Sequence, residues 1–368
     1  MTTLRVILDE MLTTTPGSVG RYTEELTREL IATAPRGCTV EAFVAASTEA
    51  EYAAIDERLP GLHALHKSAL ARRELQAAWQ HGFTRLPGTG MVHATSLLAP
   101  LARHDRLNDG DQIAVTVHDT LAWSHPGSLS PRTVSWHRAM LKRAQRYADA
   151  VVVPSHAVAD ELRDIIDLGD RVRVVSAAAS TALDVPSDAD ERAERLGLPG
   201  TYLLAIGGFE PRRGILPLIE ALPRIDDDVP LLIVGPEADD PAIAGNARVR
   251  GLGTLTDPDL AVVLDRAAVY VSPELEEGFG MSVLEAFALG TPVVHSDAPA
   301  LLELAVDAGV VVERDDPEGY PERLAAAITS VLSDAALAER LAYSGSDRAK
   351  AFSWRSAAEK IWQLHADL

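Results

Sequence analysis

Two glutamates, Glu277 and Glu285, have seven residues between them and flank a glycine-bearing turn, Glu277-Gly278-Phe279-Gly280. The apolar, β-branched run Ala268 to Ser272 ahead of the turn reads as a strand. Met281 to Gly290 reads as a helix, with Pro292 just past its end. A strand, a glycine turn and a helix in that order suit a phosphate. The glycines let backbone come close, and the amides from Gly278 to Met281 point outward with partial positive charge. Glu285, inside the helix, is a poor phosphate ligand but a good acceptor for ribose hydroxyls, the use dinucleotide folds make of an acidic residue. A plain βα turn with two surface glutamates fits the spacing alone; the glycines, the helix and the Gly290-Thr-Pro292 stop together favour the binding chemistry.

Three further stretches carry candidate groups. Gly207-Gly-Phe-Glu-Pro-Arg212-Arg213-Gly214 follows the apolar run Tyr202 to Ile206. Guanidinium groups contact phosphate oxygens bidentately, so this loop offers a cation to a phosphate-bearing ligand. His118 and Asp119 stand at the end of the run Ile113 to Val117. The C-terminal strand edge is where open parallel sheets bind ligands. A capping aspartate beside a half-buried histidine is the simpler alternative there. Leu4 to Leu8 reads as a first strand, followed by the loop Thr13 to Arg21 with Gly17 and Gly20, then a helix through about Ala34. That loop is not the G-x-G-x-x-G of nicotinamide enzymes, and Gly88-Thr-Gly90 precedes a strand instead of following one. No histidine pair has metal-ligand spacing on a helix and Cys38 is the single cysteine, so neither a metal site nor an internal disulfide is expected.

These groups need a scaffold, and the chain supplies an alternating one. Strands are expected at Thr39 to Ala45, Met91 to Ala94, Ala150 to Val153 and Val172 to Val175 in the first half. In the second half they are expected at Leu231 to Val234, Val249 to Gly251, Pro292 to His295 and Val310 to Val312. Helical stretches lie between, so the expected class is α/β: two Rossmann-like, doubly wound parallel sheets in tandem. The polar stretch from Leu183 to Pro199 marks the linker, giving residues 1–182 and 183–352 as domains, with a final amphipathic helix from Phe352 to Leu368. Residues 68–86, with Arg72, Arg73, Trp79 and Arg85, read as a solvated helix whose arginine stems cover the core. Peripheral membrane contact through it is the less favoured reading.

At 368 residues the chain is long enough for two cores, and 47% hydrophobic with 24% charged residues is ordinary globular composition. The net charge of −20 is uneven. Residues 1–185 carry 19 Lys and Arg against 22 Asp and Glu, and the remainder 15 against 32. Such a chain is a poor general nucleic-acid binder. Without an 18-residue apolar run or a signal-like start, a cytoplasmic protein is expected.

Glu277-Gly-Phe-Gly, Glu285-Ala and Gly290-Thr-Pro-Val-Val together resemble the E-x7-E signature of the retaining glycosyltransferases of family 4, which have the GT-B fold. The resemblance runs from the Gly20-Arg21 loop to the last helix. It implies that Glu285 binds the donor ribose, that Glu277 faces the donor sugar, and that the amides of Gly278, Phe279, Gly280 and Met281 hold the diphosphate. Glu210-Pro-Arg-Arg213-Gly214 resembles the family's Glu-Pro-Arg-Lys-Asn loop, with Arg213 at the lysine position and Arg212 beside it. His118-Asp119 resembles the family's His-Asp motif, whose histidine lines the sugar side of an interdomain cleft. Gly20 lies in the loop that reaches toward donor phosphates and acceptor. The last helix is expected to return to the first domain, as residues 353–368. The nucleobase is expected near the loops after Gly235 and Gly251. The resemblance implies a hexose moved from a nucleotide-diphosphate sugar, with GDP-mannose the first donor to consider, to a glycan, lipid-linked or small-molecule hydroxyl. No cofactor or metal is implied. A sugar-nucleotide 2-epimerase and a catalytically degenerate nucleotide-sugar-binding subunit are the alternatives, and both glutamates and Arg213 speak against degeneration.

Overall fold

The computed structural model describes residues 2–13, 17–86, 88–106, 108, 110–225 and 229–368. It divides into two units, residues 1–177 with 353–368 and residues 178–352. The break falls at Ala177/Ala178, ahead of the polar stretch after Leu183.

In the first unit β1 (Thr2–Ile7), β2 (Cys38–Ala46), β3 (Leu65–Ala71), β4 (Met91–Ala94), β5 (Gln112–Thr116), β6 (Ala150–Val153) and β7 (Val172–Val174) form one sheet in the order β3-β2-β1-β4-β5-β6-β7. Every neighbouring pair is parallel. In the second unit β8 (Leu203–Ile206), β9 (Leu231–Val234), β10 (Val249–Gly251), β11 (Val269–Ser272), β12 (Val293–Ser296) and β13 (Val310–Val312) take the order β10-β9-β8-β11-β12-β13, again all parallel. The central strands β4, β6, β8, β9, β11 and β12 are buried along nearly their whole length, as parallel strands covered by helices on both faces must be. Chain order reverses between β1 and β4 and between β8 and β11. Such a switch point opens a crevice at the C-terminal ends of the strands.

The helix Trp354–Asp367 belongs to the first unit, where it packs on the helix Ser18–Ala32. Ile361 and Ala358 are fully buried, and Trp362 Nε1 donates to the Leu30 carbonyl at 3.2 Å. The expected linker is not an open one: residues within it form the helix Ala189–Arg195, tied to the helix Asp257–Asp265 by Arg192 and Arg195, which reach Asp259 at 2.8 and 2.6 Å.

Two local expectations are corrected. Residues 68–86 are not one helix. β3 runs through Ala71, and only Arg72–His81 is helical, leaving Arg85 outside. Pairing with β2 holds Leu65 to Ala71 extended, and Glu74 accepts the Ala71 amide at 3.0 Å to start the helix there. Gly20 is not a loop residue. The helix begins at Ser18, after Gly17, so buried Gly20 is its third residue. Of the loop expected from Thr13 to Arg21, residues 14–16 lie outside the described residues.

Candidate active site

At the switch point of the second sheet, the loops after β8 and β11 lie side by side because their strands pair, Leu203 with Val269 and Leu204 with Tyr270. Gly214 ends the first loop with φ of 66°, and a Cβ there would sit 1.9 Å from the Pro273 carbonyl oxygen. Only glycine permits that approach, which explains why this loop ends Arg213-Gly214. The Arg212 carbonyl accepts the Leu275 amide at 2.7 Å, joining the loops again.

Gly280, with φ of 96°, caps the helix Met281–Ala288, and a Cβ on it would press on Leu301 and Leu304 at 2.6 and 2.9 Å. The turn ahead of it curls the amides of Gly278, Phe279 and Gly280 toward one point. In this structure that point holds Oε1 of Glu277, which accepts them at 3.2, 3.4 and 3.3 Å. Successive backbone amides converging on one oxygen form an anion nest, and the Glu277 carboxylate stands where an external anionic oxygen could. Its Oε2 lies 3.6 Å from Arg213 Nη1, an ion pair too long for a hydrogen bond. Phe279 contributes its amide; its ring is buried edge-on against Phe352, 5.8 Å away. The Met281 side chain is buried too, leaving its backbone as the group available at the helix start. Glu285, in the next turn, is 4% exposed.

Sequence reasoning passed over Glu274. It is 4% exposed, accepts the Ser272 hydroxyl through Oε2, and brings Oε1 to 3.7 Å from Arg213 Nη1. Burial and the nearby Glu277 carboxylate push its pKa up to about 7, against the Ser272 hydrogen bond and the Arg213 charge. Arg213, Glu274 and Glu277 therefore form one cluster of a cation and two acids. The loops after Gly235 and Gly251 close on each other, Gly235 N–H donating to Gly253 O at 2.9 Å and Gly253 N–H to Pro236 O at 2.8 Å.

The first sheet presents a different edge. His118 follows β5, and its Nε2 lies 2.7 Å from the Thr95 carbonyl after β4. A carbonyl accepts only, so Nε2 carries the hydrogen and Nδ1 keeps its lone pair in the neutral ring. Tyr22 meets the ring edge-on at 4.7 Å. Burial pushes the His118 pKa below the ordinary value, while the Thr95 carbonyl, Asp119 and Glu10 pull it up. Asp119 Oδ1 accepts the Leu121 amide at 3.1 Å, the capping use of an aspartate at a turn. Glu10, after β1, accepts Ser96 Oγ at 2.9 Å and pairs with Arg72 Nη2 at 2.8 Å. Glu10 and Ser96 were not singled out from sequence, and the sequence reads Arg72 only as a helix arginine whose stem covers the core, although an acid just past the first strand is a usable signal.

Comparison with known proteins defines the class. Over its full length the chain is similar in fold to solved structures, of which two stand for the rest. The sucrose-phosphate synthase of Thermosynechococcus elongatus matches with a TM-score of 0.73 at 22% identity, covering 100% of this chain and 99% of that one. HepE of Anabaena, solved with UDP-glucose, matches with a TM-score of 0.74 at 17% identity, covering 100% of both. Together with the two parallel sheets, these neighbours define a GT-B fold. In sequence, the model described as Glycosyltransferase Family 4 matches residues 19–182, and that described as Glycosyl transferases group 1 matches residues 200–334. The phosphatidyl-myo-inositol mannosyltransferase of Mycobacterium leprae is 30% identical over 284 residues, 70% of this chain and 74% of that protein. The D-inositol 3-phosphate glycosyltransferase of Xylanimonas cellulosilytica is 28% identical, spanning 98% of this chain and 94% of that one. The chain belongs to the family 4 glycosyltransferases. No helix among the described residues is long and apolar enough to cross a membrane.

Proposed function

We propose that this glycosyltransferase moves a hexose from a nucleotide-diphosphate sugar to an acceptor hydroxyl and retains the anomeric configuration of the donor. The observation that carries the reading is the junction of the two loops: an amide nest at Gly278 to Gly280, with the Arg213 guanidinium facing the carboxylate seated in it. Both are suited to stabilising charge on a leaving diphosphate, and both stand at the same strand edge. An incoming phosphate oxygen competes with Glu277 Oε1 for the nest, which frees that carboxylate to face the sugar. Glu285 takes the ribose hydroxyls. His118 offers Nδ1 to a sugar or acceptor hydroxyl, and Gly20 an amide in the first turn of its helix.

GDP-mannose is the first donor to test, in keeping with the mannosyltransferase among the relatives. Two relatives are named for inositol-containing acceptors, so a cyclic polyol or its phosphate is the first acceptor class to screen. With Arg213 neutralising the diphosphate, the reaction should need no divalent metal. The test is donor turnover followed by proton NMR in excess EDTA, with GDP-mannose, UDP-glucose and ADP-glucose in parallel and water or a polyol as acceptor. Release of an α-configured product from one α donor is expected. A β product would remove the retaining assignment, rescue only by Mg²⁺ or Mn²⁺ would remove metal independence, and no turnover of any donor would favour a subunit that binds without catalysing.

A further inference from the structure

Glu274 is held by backbone contacts that keep its carboxylate inside. Its carbonyl accepts Ser296 Oγ, the next amide is bound to Arg212 O at 2.7 Å, and the Leu275 carbonyl accepts the Arg314 guanidinium. The Pro273 carbonyl accepts the Tyr320 hydroxyl at 3.0 Å. The acid is thus fixed in the wall behind Arg213. The groups around it divide clearly. Glu277 adds negative charge from the same loop, and Arg213 is the cation within ion-pair distance. Tyr270 on β11 and Tyr320 on the helix Tyr320–Ser333 both have pKa values raised, chiefly by burial, so they stay protonated. Arg314 is engaged by Asp297 at 2.6 Å and by the Leu275 carbonyl. His295 on β12 has its pKa pushed down by burial and is neutral above pH 7.

We propose that Glu274 couples donor binding to proton uptake: when a nucleoside diphosphate draws Arg213 toward its phosphates, the Glu274 carboxylate takes one proton from solvent. This rests on the reading of Arg213 as the diphosphate cation. Two changes drive the proton in. The carboxylate loses its ion-pair partner, and an anion arrives beside it; both disfavour a buried charge. In the empty site burial already places the group at about 7, with Arg213 still alongside. Binding moves it higher. Below about pH 6 the acid is protonated in both states and nothing is exchanged. Above pH 7 it is ionised when empty and protonated when filled, so uptake approaches one proton and affinity falls by up to about tenfold per pH unit. Neutral Glu274 also frees Arg213 from one of its two acids, which leaves the guanidinium to the leaving group. Glu274 is on this account a positioning residue that acts through Arg213.

The measurement is calorimetry of GDP, UDP and ADP, without sugar, in HEPES and in Tris buffer at pH 8, with affinities compared between pH 7 and 8. The terminal phosphate of the probe, with a second pKa of about 6, is ionised at pH 8 and adds nothing there. Wild type should show heats that differ between the buffers at pH 8 by close to one proton taken up. Glu274→Gln, which carries the neutral form permanently, should bind the same nucleotide with equal heats in both buffers and without loss of affinity between pH 7 and 8. A nucleotide that binds wild type with no buffer dependence at pH 8 would overturn the coupling and leave the donor site standing. Wild-type uptake persisting in Glu274→Gln would assign the proton to another group. The wild-type pH profile alone decides if the variant does not fold. If none of the three nucleotides bound, the diphosphate reading itself would fall, and the coupling with it.

Discussion

At the switch point of the second sheet the candidate chemistry is mostly backbone: three amides converging on one oxygen, a helix start, and a glycine that lets two loops touch. At the switch point of the first sheet it is side chain. Glu10, Ser96 and Arg72 come from three separate segments and are held together by a hydrogen bond and an ion pair to Glu10, while His118 is held by the Thr95 carbonyl next to Ser96. Both edges are built by the same strand order. Amides arranged around a point recognise an anion whatever else it carries, which suits a phosphate group. Histidine, carboxylate and arginine arranged by long-range contacts discriminate among hydroxyls, which suits a sugar or acceptor. The comparison is sharp enough to be broken by substitution.

The largest effect is expected at Arg213. Negative charge grows on the bridging phosphate oxygen as the glycosidic bond breaks, so a cation there is worth more in the transition state than in the ground state. Arg213→Ala should lower kcat by about 10²–10³-fold, the scale of losing one preorganised oxyanion donor, with a smaller loss in donor affinity. Arg213→Lys, which keeps the charge but not the fork, should recover part of the rate. Arg212→Ala should do less than Arg213→Ala, since the Arg212 carbonyl that accepts the Leu275 amide is kept in the variant. Steady-state kinetics with Arg212→Ala crippled and Arg213→Ala near normal would reverse the two roles.

Glu285→Ala comes next. A carboxylate that holds a ribose should cost about 1.5–3 kcal/mol of nucleotide affinity when removed, the range for a charged hydrogen bond. Calorimetry at wild-type affinity would take the ribose role away from it. The matching change in the first unit is Glu10→Gln, which loosens Arg72 and leaves the second unit untouched. Acceptor KM should rise several-fold while nucleotide affinity stays within about twofold. That ratio corresponds to roughly 0.4 kcal/mol, so calorimetry resolves a larger change. A loss of nucleotide affinity as large as that of Glu285→Ala would mean the two edges are not divided by ligand as argued.

The same division explains what could be read in the sequence. The second edge lies within two βα units, so glycine placement, apolar runs and the spacing of Glu277 and Glu285 all sit in short windows, and they pointed to the loops now seen side by side. The Glu10–Ser96 and Glu10–Arg72 contacts join residues 86 and 62 positions apart, and no local pattern announces them. Glu274 was hidden for a related reason. Beside Glu276 and Glu277 it looks like one more exposed acid, and only the packing of Ser272, Ser296 and Tyr320 around its loop puts it inside. β3 was missed because Leu-His-Lys-Ser-Ala-Leu-Ala lacks β-branched residues and lies on the sheet edge; pairing with β2 makes it a strand, not its own propensity. The helix Ala189–Arg195 was read as linker because its acids and arginines are polar throughout, and its place is fixed by the distant Asp259.

The smallest effect is expected at Asp119, and it decides whether the His-Asp pair is two functional groups or one. In the structure Asp119 Oδ1 accepts the Leu121 amide, which shapes the turn that carries His118. Its charge also favours the imidazolium form of His118. Asparagine keeps the acceptor and removes the charge; alanine removes both. If the turn is what matters, Asp119→Ala should cost about 1 kcal/mol of stability, the worth of one hydrogen bond, and Asp119→Asn much less. Turnover by Asp119→Asn near pH 7.5 should then stay close to wild type, because burial keeps His118 neutral there with or without the charge. Only the acid limb of the rate profile should move, and it should move to lower pH, since a histidine without its neighbouring anion gives up its proton more readily. Melting curves and pH–rate profiles of the two variants separate the cases. Should Asp119→Asn lose as much rate at pH 7.5 as Asp119→Ala, the carboxylate itself would be touching acceptor or sugar, and the first edge would hold an acid–histidine pair in place of a histidine on a capped turn.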